Sequence, residues 1–227
     1  MIPDTLVLVV DDDASVRRSL SRALRAAGYA VEVFDGARAL LARLPSVAAP
    51  CCVVSDVRMP GMDGLALQTE LCAGGVPVAT VFLTGFADVP TSVRAMKQGA
   101  VDFLQKPVSS AVLLPAVAAA LERARKDAES RHRIDVLRER YETLTPRERQ
   151  VFALVTAGLL NKQVGFELGT SEKTVKVQRA RVIEKMGARS LADLVRMADR
   201  LGIRASPEIA PAEWDPALAE AAAASAP

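Results

Sequence analysis

Short apolar runs alternate with segments of helical spacing through the first half of the chain, and this alternation limits the possible folds most narrowly. Strands are predicted at 5–10, 30–34, 51–56, 77–83 and 101–104. Helices are predicted at 14–27, 36–44, 63–72 and 88–98. Apolar strands that alternate with helices favour a parallel sheet covered on both faces. We therefore expect an α/β domain with a five-stranded parallel sheet in the flavodoxin-like order 2-1-3-4-5.

Polar residues follow the apolar runs where the predicted strands end. Asp11 and Asp12 follow the first strand, Asp56 ends the third, Thr84 follows the fourth, and Lys106 follows the fifth. Ligands of open α/β sheets bind outside the carboxyl ends of the strands. If strands one, three, four and five are neighbours, three carboxylates, a hydroxyl and an ammonium converge on one pocket.

Crowded carboxylates repel one another, and a hard cation relieves the repulsion. Mg²⁺, or Mn²⁺ in its place, prefers such oxygen ligands and can hold a phosphoryl oxygen while Asp56 attacks phosphorus. Lys106 can neutralise charge on another oxygen, and Thr84 can donate a hydrogen bond to a third. The set suits the formation of an aspartyl phosphate.

With these motifs, residues 1–120 resemble the receiver domain of two-component response regulators. The segments 84–90, 93–97 and 102–104 resemble the nitrogen-fixation branch of the FixJ/NarL type in particular. The resemblance implies the following roles: metal ligands Asp11, Asp12, Asp56 and the backbone carbonyl of Arg58; phospho-acceptor Asp56 with Thr84 and Lys106; switch residues Thr84 and Phe103.

Simpler interpretations accompany several of these residues. Asp13 and Asp63 are expected to be helix N-caps. From the residues alone, Phe103 would be assigned to the core. The run from Asp11 to Ser15 also fits the Asp-x-Asp-x-Ser/Thr signature of haloacid-dehalogenase-like phosphatases, in which Asp11 would be the nucleophile. That alternative leaves Asp56 unexplained.

The second half of the chain is basic and helical. Residues 121–204 carry 19 Lys and Arg against 12 Asp and Glu, whereas residues 1–120 carry 10 against 11. Such asymmetry suggests a polyanionic partner. A capping sequence begins at Thr145, a short helix is expected at 161–168, and Ser171 caps a basic helix at 172–186. A short helix, a Gly turn and a capped basic helix are typical of a helix-turn-helix.

Residues 142–204 resemble the four-helix LuxR-type DNA-binding domain, with Gln178 where many relatives have His and Gly165 where Ala is usual. A basic face with small apolar residues suits the major groove of DNA. The alternatives are a basic face that is merely solvated and an output domain that binds protein. The expected DNA contacts are Thr174, Lys176, Val177, Gln178, Arg179 and Arg181. In relatives the fourth helix often makes the dimer contact, which would here involve Leu191, Leu194 and Val195.

The intervening segment is predicted to be one long helix or two over 108–141, with Pro115 as a possible kink and His132 on its surface. A solvated helix and a short coiled coil both fit. The division expected is receiver 1–122, linker 123–141, DNA-binding domain 142–204 and tail 205–227. The Ala- and Pro-rich tail is interpreted as solvated, with docking through Trp214 as the alternative.

The cysteines and the apolar segments of the sequence indicate the cellular compartment in which the protein is expected to act. Three cysteines, of which Cys51 and Cys52 are adjacent in a predicted strand, indicate buried reduced thiols rather than a disulfide framework or a thiol sensor. No apolar run is long enough for a membrane span, and no signal peptide is recognised. We expect a cytoplasmic regulator with no membrane partner, which a histidine kinase phosphorylates on Asp56 and which then binds double-stranded DNA as a homodimer.

Overall fold

The computed structural model describes residues 6–47, 50–74, 76–85 and 89–203, without the side chains of 89–91. The chain divides between Arg131 and His132 into two compact units. The predicted start of a helix at Asp88, Trp214 and the predicted tail lie outside the described residues. Among those residues, every helix is too short or too polar to span a bilayer.

The first unit alternates strands and helices as predicted. The strands are β1 Leu6–Val10, β2 Ala30–Phe34, β3 Cys51–Asp56, β4 Val78–Thr84 and β5 Asp102–Gln105. The helices are α1 Ala14–Ala26, α2 Ala37–Arg43, α3 Gly64–Ala73, α4 Val89–Lys97 and the start of α5, which spans Ser110–Glu142. A 3₁₀ turn, Leu44–Ser46, follows α2.

The five strands form one parallel sheet in the order β2-β1-β3-β4-β5. This confirms the predicted order. Every residue of β3 is buried because the strand lies at the centre of the sheet and is covered on both faces. Val7 and Val9 point to the face packed by α1 and α5, and Leu8 and Val10 to the face packed by α2 and α3. That two-sided burial explains why β1 is a continuous apolar run.

In the described part of the second unit, which ends at Ile203, four further helices follow α5. They are α6 Pro146–Thr156, α7 Asn161–Glu167, α8 Glu172–Met186 and α9 Leu191–Leu201. One stripe of α8 faces inward, since Val175, Val182 and Met186 are buried in the core of this unit.

Side-chain caps fix where several helices begin. Asp13 accepts a hydrogen bond from the amide of Ser15, and Asp63 from that of Ala66, so both are the N-caps expected from the sequence. Thr145 and Glu148 form the predicted capping box at the start of α6.

The segment between the predicted domains forms part of α5, a single helix with Pro115 inside it. His132 is exposed, as predicted. Cys51 and Cys52 are buried free thiols, and Cys72 is an exposed one. Burial raises the pKa of the Cys51 thiol to about 11 and that of Cys52 further still, which keeps both protonated and unreactive.

Candidate functional site

Three carboxylates meet at the carboxyl ends of β1 and β3. One oxygen from each of Asp11, Asp12 and Asp56 can be chosen so that all three lie within 4.8 Å of one another. Asp11 is fully buried, Asp56 is 9 % exposed, and Asp12 is exposed to solvent. These strands are neighbours in the sheet, so residues 45 positions apart in sequence share one edge. The convergence predicted from the strand ends is therefore present.

Lys106 reaches into this acidic cluster from the end of β5. Its Nζ lies 2.6 Å from Oδ2 of Asp11 and 3.1 Å from Oδ2 of Asp56. Burial opposes the charge on the ammonium, but the hydrogen bonds to Asp11 and Asp56 together outweigh it and raise the pKa of Lys106. The lysine is therefore a cation at neutral pH and partly balances the carboxylates.

Backbone amides orient the two buried carboxylates. Oδ1 of Asp11 accepts a hydrogen bond of 2.9 Å from the amide of Asp13. Oδ1 of Asp56 accepts one of 2.8 Å from the amide of Val57. Each acid is thus held by an amide at one oxygen and by Lys106 at the other, so its side chain has a defined direction.

Thr84 and Phe103 lie on the neighbouring strands β4 and β5. Thr84 is 2 % exposed, and its carbonyl accepts a hydrogen bond of 2.7 Å from the amide of Lys106. In the β3–β4 register Asp56 pairs with Leu83, so Thr84 follows directly after the partner of Asp56. Phe103 is half-buried against Phe82, with ring centroids 6.3 Å apart. Its packing is compatible with the core interpretation as well as with a switch role.

The two residues after Asp56 start a sharply constrained loop, in which Arg58 has an exposed side chain. The amide of Gly64 donates a 2.9 Å hydrogen bond to the carbonyl of Val57. A Cβ on Gly64 would overlap the backbone carbonyl oxygen of Asp56 and would lie 2.9 Å from the ring of Phe82. Glycine at this position therefore lets α3 begin against the end of β3, which the sequence analysis missed.

Arg17 is a second residue that the sequence analysis missed. Its guanidinium donates hydrogen bonds to the backbone carbonyls of Asp11, at 2.5 Å, and Asp12, at 2.9 Å. It thereby fixes the loop that carries the acidic pair. The sequence could have indicated this contact. Asp13 caps α1, so the loop that carries Asp11 and Asp12 must lie close to the first turn of the helix, where Arg17 is placed.

The acidic cluster has the chemistry of a divalent cation site. Carboxylate oxygens are the ligands that Mg²⁺ prefers, and their number and spacing are compatible with a bound divalent ion. Once held there, such an ion would supply Lewis-acid stabilisation of phosphoryl oxygens. The described residues therefore fit the cofactor that the sequence predicts.

A basic surface is presented by α8 in the second unit. Four of its residues, Lys176, Val177, Ala180 and Arg181, are exposed, while the opposite stripe is buried. Lys176 pairs with Glu172 at 3.0 Å, an exposed i,i+4 pair that water screens strongly. The basic face with small apolar residues that the sequence predicts is therefore exposed.

The other predicted DNA contacts of α8 differ in how much of each side chain is exposed to solvent. Thr174 is exposed next to the capping residue Ser171, with their hydroxyl oxygens 2.9 Å apart. Arg179 is half-buried and donates a 3.1 Å hydrogen bond to Oδ1 of Asn161 on α7. Gln178 is also half-buried, with its Oε1 enclosed by protein. Arg179 thus links two helices in this structure, which the sequence alone does not indicate.

One part of the predicted dimer contact is wrong. Leu194 is fully buried in the core of its own unit and so offers no surface to a second subunit. The reason is the phase of α9: Leu194 and Ala198 face α6, whereas Leu191 is 38 % exposed and Val195 is half-buried. Only Leu191 and Val195 remain candidates for that contact.

Gly165 lies in α7 where the backbone of the following turn approaches closely. A Cβ at this position would lie 2.9 Å from the carbonyl oxygen of Thr170, in the turn between α7 and α8. The tight turn between α7 and α8 therefore requires glycine at position 165, although glycine stabilises a helix less than alanine does.

Comparison with known families divides the chain in two. Residues 7–118 match the response regulator receiver domain, and residues 142–198 match the bacterial regulatory proteins of the luxR family. Neither model describes a phosphatase, so the alternative with Asp11 as nucleophile gains no support from them.

Relatives match along most of both parts. Nodulation protein W of Bradyrhizobium diazoefficiens is 50% identical over 202 residues, covering 88% of this chain and 88% of that protein. The transcriptional regulatory protein FixJ of the same organism is 44% identical over 197 residues, covering 87% of this chain and 96% of FixJ.

Solved structures agree with these relatives. The response regulator StyR is 43% identical with a TM-score of 0.71, covering 87% of this chain and 99% of StyR. Full-length FixJ from B. japonicum is 43% identical with a TM-score of 0.52, covering 88% of this chain and 98% of FixJ. The chain belongs to the response regulators that join a receiver domain to a LuxR-type DNA-binding domain.

Proposed function

We propose that this response regulator is a transcription regulator of a two-component system in which Asp56 accepts a phosphoryl group from a histidine kinase. The observation that carries the proposal is the cluster of Asp11, Asp12 and Asp56 with Lys106 at its edge. The cluster combines a nearly buried nucleophile, a set of cation ligands and a fixed positive charge, which phosphoryl transfer requires.

The transfer step follows from this geometry. A carboxylate oxygen of Asp56 attacks the phosphorus of a phosphohistidine, the O–P bond forms as the P–N bond breaks, and the leaving imidazole takes up a proton. Asp11 and Asp12, with the carbonyl of Arg58, would hold Mg²⁺ or Mn²⁺. Lys106 stabilises charge on one phosphoryl oxygen. Because these groups belong to the acceptor itself, we propose that the receiver also catalyses its own phosphorylation by small phosphodonors and its dephosphorylation.

The switch is proposed to start at Thr84. Its hydroxyl would bond the phosphoryl group and move towards Asp56, and Phe103 would follow because the two lie two register positions apart on paired strands. Phosphorylation would then shift a pre-existing equilibrium of the β4–β5 face. The division into receiver 1–122, linker 123–141, DNA-binding domain 142–204 and tail 205–227 is part of this proposal.

The output is proposed to be DNA binding through α8. The exposed residues Thr174, Lys176, Val177 and Arg181 would enter the major groove or contact phosphates. Gln178 and Arg179 would contribute at the edge of this surface. Two subunits that associate through Leu191 and Val195 would read paired half-sites.

Phosphorylation by acetyl phosphate with Mg²⁺ tests the acceptor. Intact-protein mass spectrometry is expected to show one added phosphoryl group on the wild type and none on Asp56→Asn. The matched control is Asp63→Asn, which makes the same chemical change at a helix N-cap outside the cluster and is expected to be labelled normally. Full labelling of Asp56→Asn would contradict the assignment of Asp56.

Selection of bound fragments from genomic DNA, with and without acetyl phosphate, tests the output. Phosphorylated protein is expected to enrich a specific, paired sequence more strongly than the unphosphorylated protein. Equal enrichment in both conditions would contradict phosphorylation control, and no enrichment of any sequence would contradict specific DNA binding.

A further inference from the structure

A groove in the second unit lies between the last turns of α5 and one face of α9. Its volume is about 330 Å³, within the range of roughly 300–1,000 Å³ that is typical of ligand-binding clefts. Val136, Leu137 and Met197 supply apolar surface in it. Leu137 is buried, and the other two are half-buried. The groove therefore offers an apolar floor of a size that suits a large side chain.

Positive charge surrounds this apolar floor. Arg133, Arg196 and Arg200 line the groove together with a single acid, Asp193. Arg196 pairs with Asp193 at 3.3 Å, and the amide of Arg189 also donates to that carboxylate. The groove is thus lined by three arginines and one aspartate, and this excess of positive charge favours an acidic occupant that carries an apolar or aromatic side chain.

The same chain carries such a segment close by in sequence. Residues 205–227 contain four acids and no basic residue. Two of the acids, Glu213 and Asp215, flank Trp214, which is the only tryptophan in the protein. An indole between two carboxylates matches an apolar floor bordered by arginines, because arginine stacks on aromatic faces as well as pairing with carboxylates.

The length of the chain allows the segment to reach the groove. Ile203, the last described residue, is three positions beyond Arg200 of the groove. Trp214 lies 11 positions beyond Ile203, and an extended chain of that length spans at most about 36–40 Å. The intervening residues can therefore turn back along α9, and Pro207 and Pro211 lie within that stretch.

We propose that residues 208–215 dock in cis into this groove, with the indole of Trp214 on Met197 and Leu137 and with Glu213 and Asp215 facing Arg196 and Arg200. The surface is an intramolecular docking site, and its occupant is the acidic C-terminal segment of the same chain. It is independent of the phosphorylation function proposed above.

Fluorescence of the full-length protein tests this assignment directly, because Trp214 is its only tryptophan. The wild type is expected to emit at shorter wavelength, and to be quenched less by acrylamide, than the same chain unfolded in urea. The double variant Arg196→Glu/Arg200→Glu is expected to shift the emission to the unfolded position while the circular dichroism of the helices is retained. Added salt is expected to shift the emission of the wild type towards longer wavelength as well, since salt screens exposed charge pairs.

Two further variants keep the test specific. Arg18→Glu/Arg22→Glu makes the same change of charge at exposed positions of α1 and is expected to leave the emission unchanged. By itself, the variant Glu213→Lys/Asp215→Lys is expected to lose the blue-shifted emission. The quadruple variant that also carries Arg196→Glu/Arg200→Glu is expected to regain it. Restoration by the exchange of charges would distinguish a direct contact from general unfolding.

Three results would overturn the proposal. They are wild-type emission at the unfolded position, emission that is unaffected by reversal of the groove charges, and a blue shift that disappears on dilution. The last would show that the groove is filled by the segment of a second copy rather than by that of its own chain.

Discussion

The ammonium nitrogen of Lys106 lies 2.6 Å from a carboxylate oxygen of Asp11, although the two residues are 95 positions apart in the chain. The contact joins the ends of β1 and β5, which are not neighbours in the sheet. It crosses over the strands that lie between them and also brings the ammonium to Asp56. One lysine therefore holds the acid expected to bind the metal and the acid expected to accept phosphate in fixed positions.

Replacement of this lysine is expected to slow phosphorylation more than binding of the metal. Lys106→Met should reduce the initial rate of labelling by acetyl phosphate on the order of 10²-fold, because one stabilising charge on the phosphoryl oxygens is lost. The rate can be followed by intact-protein mass spectrometry. Lys97→Met, an exposed lysine of α4, is the control. An unchanged rate for Lys106→Met would contradict its role.

Arg17 is expected to support metal binding from outside the cluster. Arg17→Gln removes the hydrogen bonds to the carbonyls of Asp11 and Asp12 and should weaken Mg²⁺ binding roughly 10-fold, as loss of a residue behind the ligands commonly does. Calorimetric titration with Mg²⁺ measures this without any phosphodonor. Arg18→Gln, at the adjacent exposed position, should leave the affinity unchanged. Equal affinity of both variants would show that the loop does not depend on Arg17.

Gly64 is expected to be intolerant of a side chain. Gly64→Ala places a Cβ against the carbonyl oxygen of Asp56 and the ring of Phe82, and should lower the free energy of unfolding of the receiver by about 1–3 kcal/mol. Thermal denaturation of both variants provides the comparison. Gly36→Ala is the control, since nothing lies within 4 Å of a Cβ there and its φ of −174° suits any residue. Similar melting of the two variants would refute the steric argument.

The ion pair inside the second unit is expected to make its stability depend on pH. Nζ of Lys185 lies 2.6 Å from Oε2 of the buried Glu148, and this hydrogen bond, with one from the amide of Thr145, lowers the pKa of Glu148. A lowered pKa in the folded state means that the stabilisation is complete above the unfolded pKa of about 4.3 and is lost as the pH falls through the folded value.

Hydrogen exchange of the α8 amides can follow this dependence in the full chain. At pH 7, Glu148→Gln should exchange faster than the wild type, and the difference should shrink as the pH is lowered below about 4. Glu184→Gln, exposed on the same helix, is expected to match the wild type throughout. A difference that stays constant across this range would contradict the assignment to Glu148.

Substitutions of two arginines of α8, Arg181 and Arg179, are expected to affect DNA binding in different ways. Arg181→Ala should weaken binding to a selected operator by about 1–3 kcal/mol if it reads a base, or reduce the salt slope by about 1 if it contacts a phosphate. Arg179→Ala should instead affect the packing of α7 on α8, because its guanidinium bonds Asn161. Binding titrations at several salt concentrations measure both effects. Unchanged affinity for Arg181→Ala at matched salt would exclude this face as the reader.

The fold was largely predictable because its determinants are local in sequence. The run 51–54 is apolar throughout, which indicates a strand buried on both faces, and Asp63 and Thr145 mark where helices begin. The positions of Asp11, Asp56 and Lys106 at strand ends then predict a common site. Leu191, Leu194 and Val195 lie on one apolar face of α9, and helical spacing does not say which part of that face packs inward. Leu194 was therefore wrongly assigned to an interface.

The sequence by itself determined the alternation of strands and helices, the identity of the acidic cluster and the basic face of α8, because periodicity and strand ends are properties of short segments. Only the tertiary structure decided the contacts of Gly64 with the end of β3 and the ring of Phe82, and the contact of Arg179 with Asn161. These contacts depend on the distances between elements that are set by packing, and side-chain geometry across such a distance is not encoded in any local pattern.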